Sequence, residues 1–228
     1  MRTYFISGRL AGAALVVAAF AFVSPRPASA QDAAQSERLR GSMSASAFAS
    51  FNATLAAARE HGLPTEPLVS KAMEGAAKGV PGDRIASAVR DLSNRMARAQ
   101  IVLRAGVGAK RAATSAEIVA VADALQRNVP EDVLRRLSAD AAGRASIAAS
   151  SYAMADLVSQ GVPVAVGVEV LTAWRARGAD PASLHEVSAT VERLVRQGVA
   201  PARAGSGVAA GLRLGIALST ITNINLPK

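Results

Sequence analysis

The stretch Glu74-Gly-Ala-Ala-Lys-Gly-Val-Pro-Gly-Asp-Arg-Ile85 packs glycines, a lysine and a proline into one short segment, and its reading decides the fold. A phosphate-binding loop follows a strand and reads G-x-x-x-x-G-K-S/T, so that backbone N–H groups surround the phosphates while Lys and Ser/Thr reach phosphate and metal. Here Gly75, Gly79 and Gly82 fall at other intervals and no Lys-Ser/Thr pair follows. The preceding residues Leu68, Val69, Ala72, Met73 and Ala76 recur at helical spacing, so no strand leads in. The spacing does not match G-x-G-x-x-G either. The stretch therefore reads as punctuation: Gly79 closes one helix in the left-handed conformation, Val80 packs back on its last turn, and Pro81 opens the next helix, where a missing N–H costs nothing.

The same wording recurs along the chain. HGLP at 61–64, KGVP at 78–81, RNVP at 127–130, QGVP at 160–163, RGADP at 177–181 and QGVAP at 197–201 each join one helical pattern to another. Gly62 and Gly79 stand 17 residues apart, as do Gly161 and Gly178. LVSQGVP at 157–163 returns as LVRQGVAP at 194–201, with ALQRNVP at 124–130 as a degenerate copy. Such periodicity predicts stacked helical hairpins, each unable to bury its apolar stripe without neighbours. Between the linkers the helices are strongly patterned: Ile85, Val89, Leu92, Met96, Ala99 and Leu103 fall three or four apart, with Asp91 and Arg95 spaced for an i,i+4 ion pair. Thr114-Ser-Ala-Glu117 reads as a capping box, and Asp180-Pro181 as an N-cap followed by proline at the first helical position. The fold class that follows is all-α, with about eight or nine short helices in repeated antiparallel hairpins, either α-solenoid-like or a compact helical array.

The ends carry a different signal. Residues 1–30 have the layout of a secretory signal peptide: Arg2 and Arg9, then the uncharged run LAGAALVVAAFAFV at 10–23, then a Pro-flanked exit ending Ala28-Ser-Ala30. As a helix the run would be roughly 21 Å long, short of a bilayer core of about 30 Å. Cleavage after Ala30 predicts a protein exported to the periplasm or beyond, with no transmembrane segment in its mature form. Residues 31–42 read as a flexible lead-in, 43–104 as a first helical-repeat part, 105–113 as a hinge, 114–218 as a second repeat part and 219–228 as a C-terminal tail.

Loss of the leader removes three arginines and leaves 23 basic against 17 acidic residues, a charge of +6. Without cysteine no disulfide framework exists, so packing alone holds the fold. Export and the scarcity of aromatics, Phe48, Phe51, Tyr152 and Trp174 in the mature chain, argue against nucleic acid as a partner. Trp174 shares a helical face with Val168 and Leu171 and reads as core.

Little in the sequence points to chemistry. His61 precedes a helix-ending glycine, and His185 lies in the first turn after Pro181. No H-E-x-x-H, histidine pair or cysteine cluster offers a metal ligand set, and no motif offers a cofactor site. G-x-S-x-G is missing, and Gly205-Ser-Gly207 reads as a flexible cap. Glu131, Asp132, Asp140, Asp156 and Glu169 are carboxylates that could pair across helices, with nothing in the sequence selecting two of them. Gly207, Gly211 and Gly215 form small-x-x-x-small steps that bring a helix close, within the domain or at a dimer face. The expectation is an exported, non-catalytic helical-repeat protein that binds another protein or a cell-envelope component, with Arg84, Arg95 and Arg98 as its interaction surface. The alternatives are a hydrolase-type enzyme whose site assembles between helices around Glu60, His61 or His185, and a peripheral binder of anionic membrane or glycan.

Overall fold

The computed structural model describes residues 37–107, 111–140, 144–178 and 180–221, and the expected signal peptide lies outside them. These residues are helical throughout, without a strand among them. A short α1 at 37–42 leads into α2 (Ala45–Glu60), α3 (Glu66–Ala77), α4 (Gly82–Val107), α5 (Ser115–Gln126), α6 (Glu131–Ala139), α7 (Arg144–Ser159) and α8 (Val164–Ala176). A 3-10 turn, Pro181–Ser183, then precedes α9 (Leu184–Arg196), α10 (Pro201–Arg213) and α11 (Leu218–Ile221). The all-α reading and the hairpin linkers hold.

The linkers close as their residues dictate. After α3 the amide of Val80 bonds to the carbonyl of Gly75 and that of Gly79 to Ala76, both at 3.0 Å, around a left-handed Gly79 at φ +66°. This pair of bonds satisfies the orphan carbonyls of the last turn. Equivalent pairs follow α2, α5, α7, α9 and α10. The last of these, Gly215 with Ile216, is a further copy that has no proline. It places left-handed residues 17 apart in a third hairpin, Gly198 with Gly215. Pro81 and Pro163 stand just before their helices, and Pro130 is the N-cap of α6 rather than its first residue. Asp180 accepts from the Ala182 amide at 3.0 Å, and Thr114 with Glu117 forms the expected capping box.

Asn128 is the one non-glycine with positive φ, 63°, among the described residues. Its short amide side chain tolerates that region, whereas a Cβ without polar compensation costs about 1–2 kcal/mol there. Asn128→Ala is accordingly expected to lower stability by about 1 kcal/mol in urea denaturation, and Asn128→Gly to stay within about 0.5 kcal/mol of the parent. Equal stability of the alanine variant would contradict this account of the cap.

One layer is the run α2, α4, α5, α7 and α9, each packed on the next; α3 and α6 pack on α4, and α8 packs on α10. A single apolar core runs from Leu39 to Ile221. Burying a side chain such as Phe51 or Leu171 contributes about 1.5–3 kcal/mol. Small residues set the interhelix distance: a Cβ on Gly205 would lie 2.7 Å from Val166. Gly211 packs under Ile221, so this part of the small-residue stripe serves packing within the domain. Trp174 is buried, its indole N–H donating to Ser183 Oγ at 2.9 Å, as a core tryptophan requires.

Four local expectations change. Residues 37–42 are helical rather than a loose lead-in, because Leu39 buries its side chain in the core. Residues 105–107 of the expected hinge belong to α4, whose end lies against α6; residues 108–110 are outside those described. Of the tail, 219–221 is helical and Ile221 is buried against Gly211, while the rest lies outside the described residues. Finally, Asp91 and Arg95 do not form their i,i+4 pair, since Arg95 buries its Nε instead of extending along the helix.

Candidate functional site

Consecutive turns of α7 place Ala149, Tyr152, Ala153 and Asp156 on one face, which looks onto Leu184, His185 and Ser188 of α9. Pro181 and Ala182 of the 3-10 turn close one end, leaving a cavity of about 340 Å³. Ala149 and Ala153 leave this space open: a larger side chain at either position of α7 would fill it. Tyr152 is 42% exposed, in a chain with few aromatics.

The polar groups come from three helices of one layer. Arg127, at the end of α5, lies 3.1 Å from Asp123 on its own helix and 3.1 Å from Asp156 on α7. Its Nη1 also reaches Ser159 Oγ at 3.4 Å. Two carboxylates thus share one guanidinium. Burial raises the Asp156 pKa from its ordinary value, Arg127 opposes the rise, Asp123 adds to it, and the weaker influences of His185 and Glu192 oppose each other. Burial, reinforced by Asp123, likewise raises the Tyr152 phenol. Gln160 donates to the Ser188 carbonyl at 3.4 Å, tying the end of α7 to α9.

The other carboxylates considered for acid/base work each meet an arginine. Glu131 pairs with Arg98, Asp132 with Arg136, Asp140 with Arg175 at 4.0 Å, and Glu169 with Arg213 at 3.5 Å. Arg175 also donates to the Leu137 carbonyl at 3.0 Å and to Ser150 Oγ at 3.3 Å, so it links α6, α7 and α8. Burial lowers its pKa, partly offset by Asp140. Among the described residues no three His, Asp or Glu side chains gather as a metal site.

The proposed arginine surface is divided by these contacts. Arg84 is exposed on the first turn of α4, Arg98 is held by Glu131 of α6, and Arg95 has its Nε buried without a partner. None of the three lines the α7/α9 cavity. His185 does line it, whereas His61 is the C-cap residue of α2. Glu60 ends the same helix as His61, outside the cavity.

No family model, curated protein or solved structure matches this chain. Its site is therefore described by its own residues. The cavity joins a half-exposed aromatic side chain to a partly buried carboxylate, between walls of alanine, proline and leucine. Two further hollows differ in kind. A 420 Å³ one beside Trp174 and Leu212 is crossed by structural bonds, with Arg177 donating to the Ile216 carbonyl at 2.9 Å. A 320 Å³ one between α2 and α4 is shallow and lined by Ser50, Thr54, Arg90 and Asn94.

The sequence carries a signal for this site in its repeats. Ala122-Asp123 and Ala155-Asp156 open two nine-residue copies, ADALQRNVP and ADLVSQGVP, in which the aspartates hold the same register before the left-handed residue. Adjacent repeats stacked side by side bring identical registers together, and here they bring both aspartates to Arg127.

Proposed function

We propose that this chain is an exported, non-catalytic helical-repeat protein that binds a protein of the cell envelope through the outer face of α5, α7 and α9. The observation that carries the reading is the exposed, apolar-walled cavity at Tyr152 between α7 and α9. Stacked hairpins generate continuous surfaces for a partner, and an aromatic side chain at the edge of a hollow is a typical anchor. The arginine pairing of Glu131, Asp132, Asp140, Asp156 and Glu169 favours binding over acid/base chemistry: a general acid or base needs a free proton site near its substrate. Export rests on the leader pattern of residues 1–30.

The test is native mass spectrometry, combined with crosslinking, of the mature chain recovered from the exporting cell's envelope fraction. A retained polypeptide whose crosslinks fall on α5, α7 or α9 is the expected outcome, reduced several-fold by Tyr152→Ser. A bare monomer without crosslinks, or retention of the chain in the cytoplasm, would overturn the reading.

A further inference from the structure

We propose that the α7/α9 cavity receives a basic side chain, lysine or arginine, presented by an extended segment of the partner polypeptide. The inference rests on the binding function above and specifies what the site recognises.

Charge complementarity selects the occupant. The chain as a whole is strongly basic, +9 over its full length, yet the groups that face this hollow are Asp156 and, within electrostatic reach of it, Asp123 and Glu192. The nearby basic groups are Arg127, His185 and Arg196, which pairs with Glu192 at 3.7 Å; Arg127 is already shared between two aspartates, so the acidic groups stay in excess of the arginines. Fields from the distant arginines are screened within about 8 Å at physiological salt, so the local acidic excess governs what enters. An anion is disfavoured there by the same carboxylates that attract a cation.

Shape narrows the class further. Ala149, Ala153, Pro181, Ala182 and Leu184 offer apolar wall to a methylene stem, while the charged head meets the Asp156 carboxylate and the exposed Tyr152 ring. Long basic side chains bury their stems on apolar surface and place their heads at polar rims, and a guanidinium over a tyrosine face gains cation–π attraction. A free amine would have only this open-mouthed cavity to hold it, whereas a polypeptide adds contacts along the neighbouring helices.

The decisive experiment titrates the full-length ¹⁵N-labelled chain with an acetylated, amidated five-residue peptide carrying arginine among alanines, and with its citrulline counterpart, which keeps the shape and loses the charge. Amide shifts at Ala153 and Ser188 are expected, with the arginine peptide bound roughly 10-fold more tightly at low salt. Asp156→Asn should cut that preference to about 3-fold or less, while Arg127 keeps Asp123 as a partner. Tyr152→Leu, which retains apolar area and removes the ring face, should reduce it about 3-fold. Thermal melts matching the parent establish that both variants are folded.

Equal binding of the two peptides, shifts that map elsewhere, or no shifts with either peptide would overturn the assignment. N-acetylarginine amide binding as tightly as the peptide would overturn the polypeptide as occupant. Undiminished envelope crosslinking by Asp156→Asn would remove the basic-residue site and leave the broader binding function standing.

Discussion

Gly106→Ala is expected to destabilise the protein by about 2–3 kcal/mol, although alanine is the better helix former by up to about 1 kcal/mol. Gly106 sits in the last turn of α4, where an added Cβ would lie 2.7 Å from the carbonyl oxygen of Arg135 and 2.8 Å from Cβ of Ser138. Those atoms belong to the α6 backbone and to a buried serine whose hydroxyl is fixed on the Leu134 carbonyl at 2.8 Å. No rotamer change relieves the contact, so α4 and α6 must separate and lose packing along their length. Gly41→Ala is the control: nothing approaches within 4 Å of its added Cβ, and its exposed helical position should yield a gain of about 0.5–1 kcal/mol. Urea denaturation of the two variants checks both signs. An unperturbed Gly106→Ala would mean that α4 and α6 move apart freely, as a hinge at this point would allow.

The linker chemistry was legible because each cap depends on residues next to one another in sequence. Gly62-Leu63 and Asn128-Val129 announce a left-handed residue and a packing residue without reference to the rest of the chain. Gly215 escaped because it was read as one of three spaced small residues, and because no proline follows to mark the linker. The hinge expectation failed at residues 105–107 for a related reason. Glycine is ambiguous in a sequence between freedom and close approach, and only the position of α6 shows that Gly106 serves the second. The interaction surface was hardest to read. Arg84, Arg95 and Arg98 were chosen for charge, but Arg98 meets a carboxylate 33 residues away, a pairing that depends on how α4 and α6 cross. Tyr152 stands out only once burial is known, since nothing in its sequence neighbourhood separates an exposed tyrosine from a buried one.

Glu117→Ala is expected to cost about 3–4 kcal/mol, more than any surface charge change, because it breaks a buried ion pair and a helix cap together. Glu117 is 1% exposed and Arg111 22%. The two guanidinium nitrogens donate to its two carboxylate oxygens at 2.8 and 2.7 Å, and the Thr114 amide donates at 2.8 Å. Alanine would leave the amide and a largely covered guanidinium unpaired. Glu117→Gln, which can still accept from Thr114, should lose about 2 kcal/mol, and combining Arg111→Ala with Glu117→Ala should cost clearly less than the sum of the single changes. Acid separates the charged pair from the cap. Burial pushes the Glu117 carboxyl up, but the bonds from Arg111 and Thr114 outweigh it, so the folded-state pKa lies below the ordinary value of 4.5. A carboxyl depressed in the folded state contributes its full stabilisation above the unfolded-state pKa and loses it as pH falls through the folded one. The stability gap between the parent and Glu117→Gln should therefore hold steady from neutral pH down to about 5 and narrow below about 4.5. A gap that widened on acidification, or stayed constant to pH 3, would mean that Glu117 is not held as a carboxylate by Arg111 and that the start of α5 is secured by its cap alone.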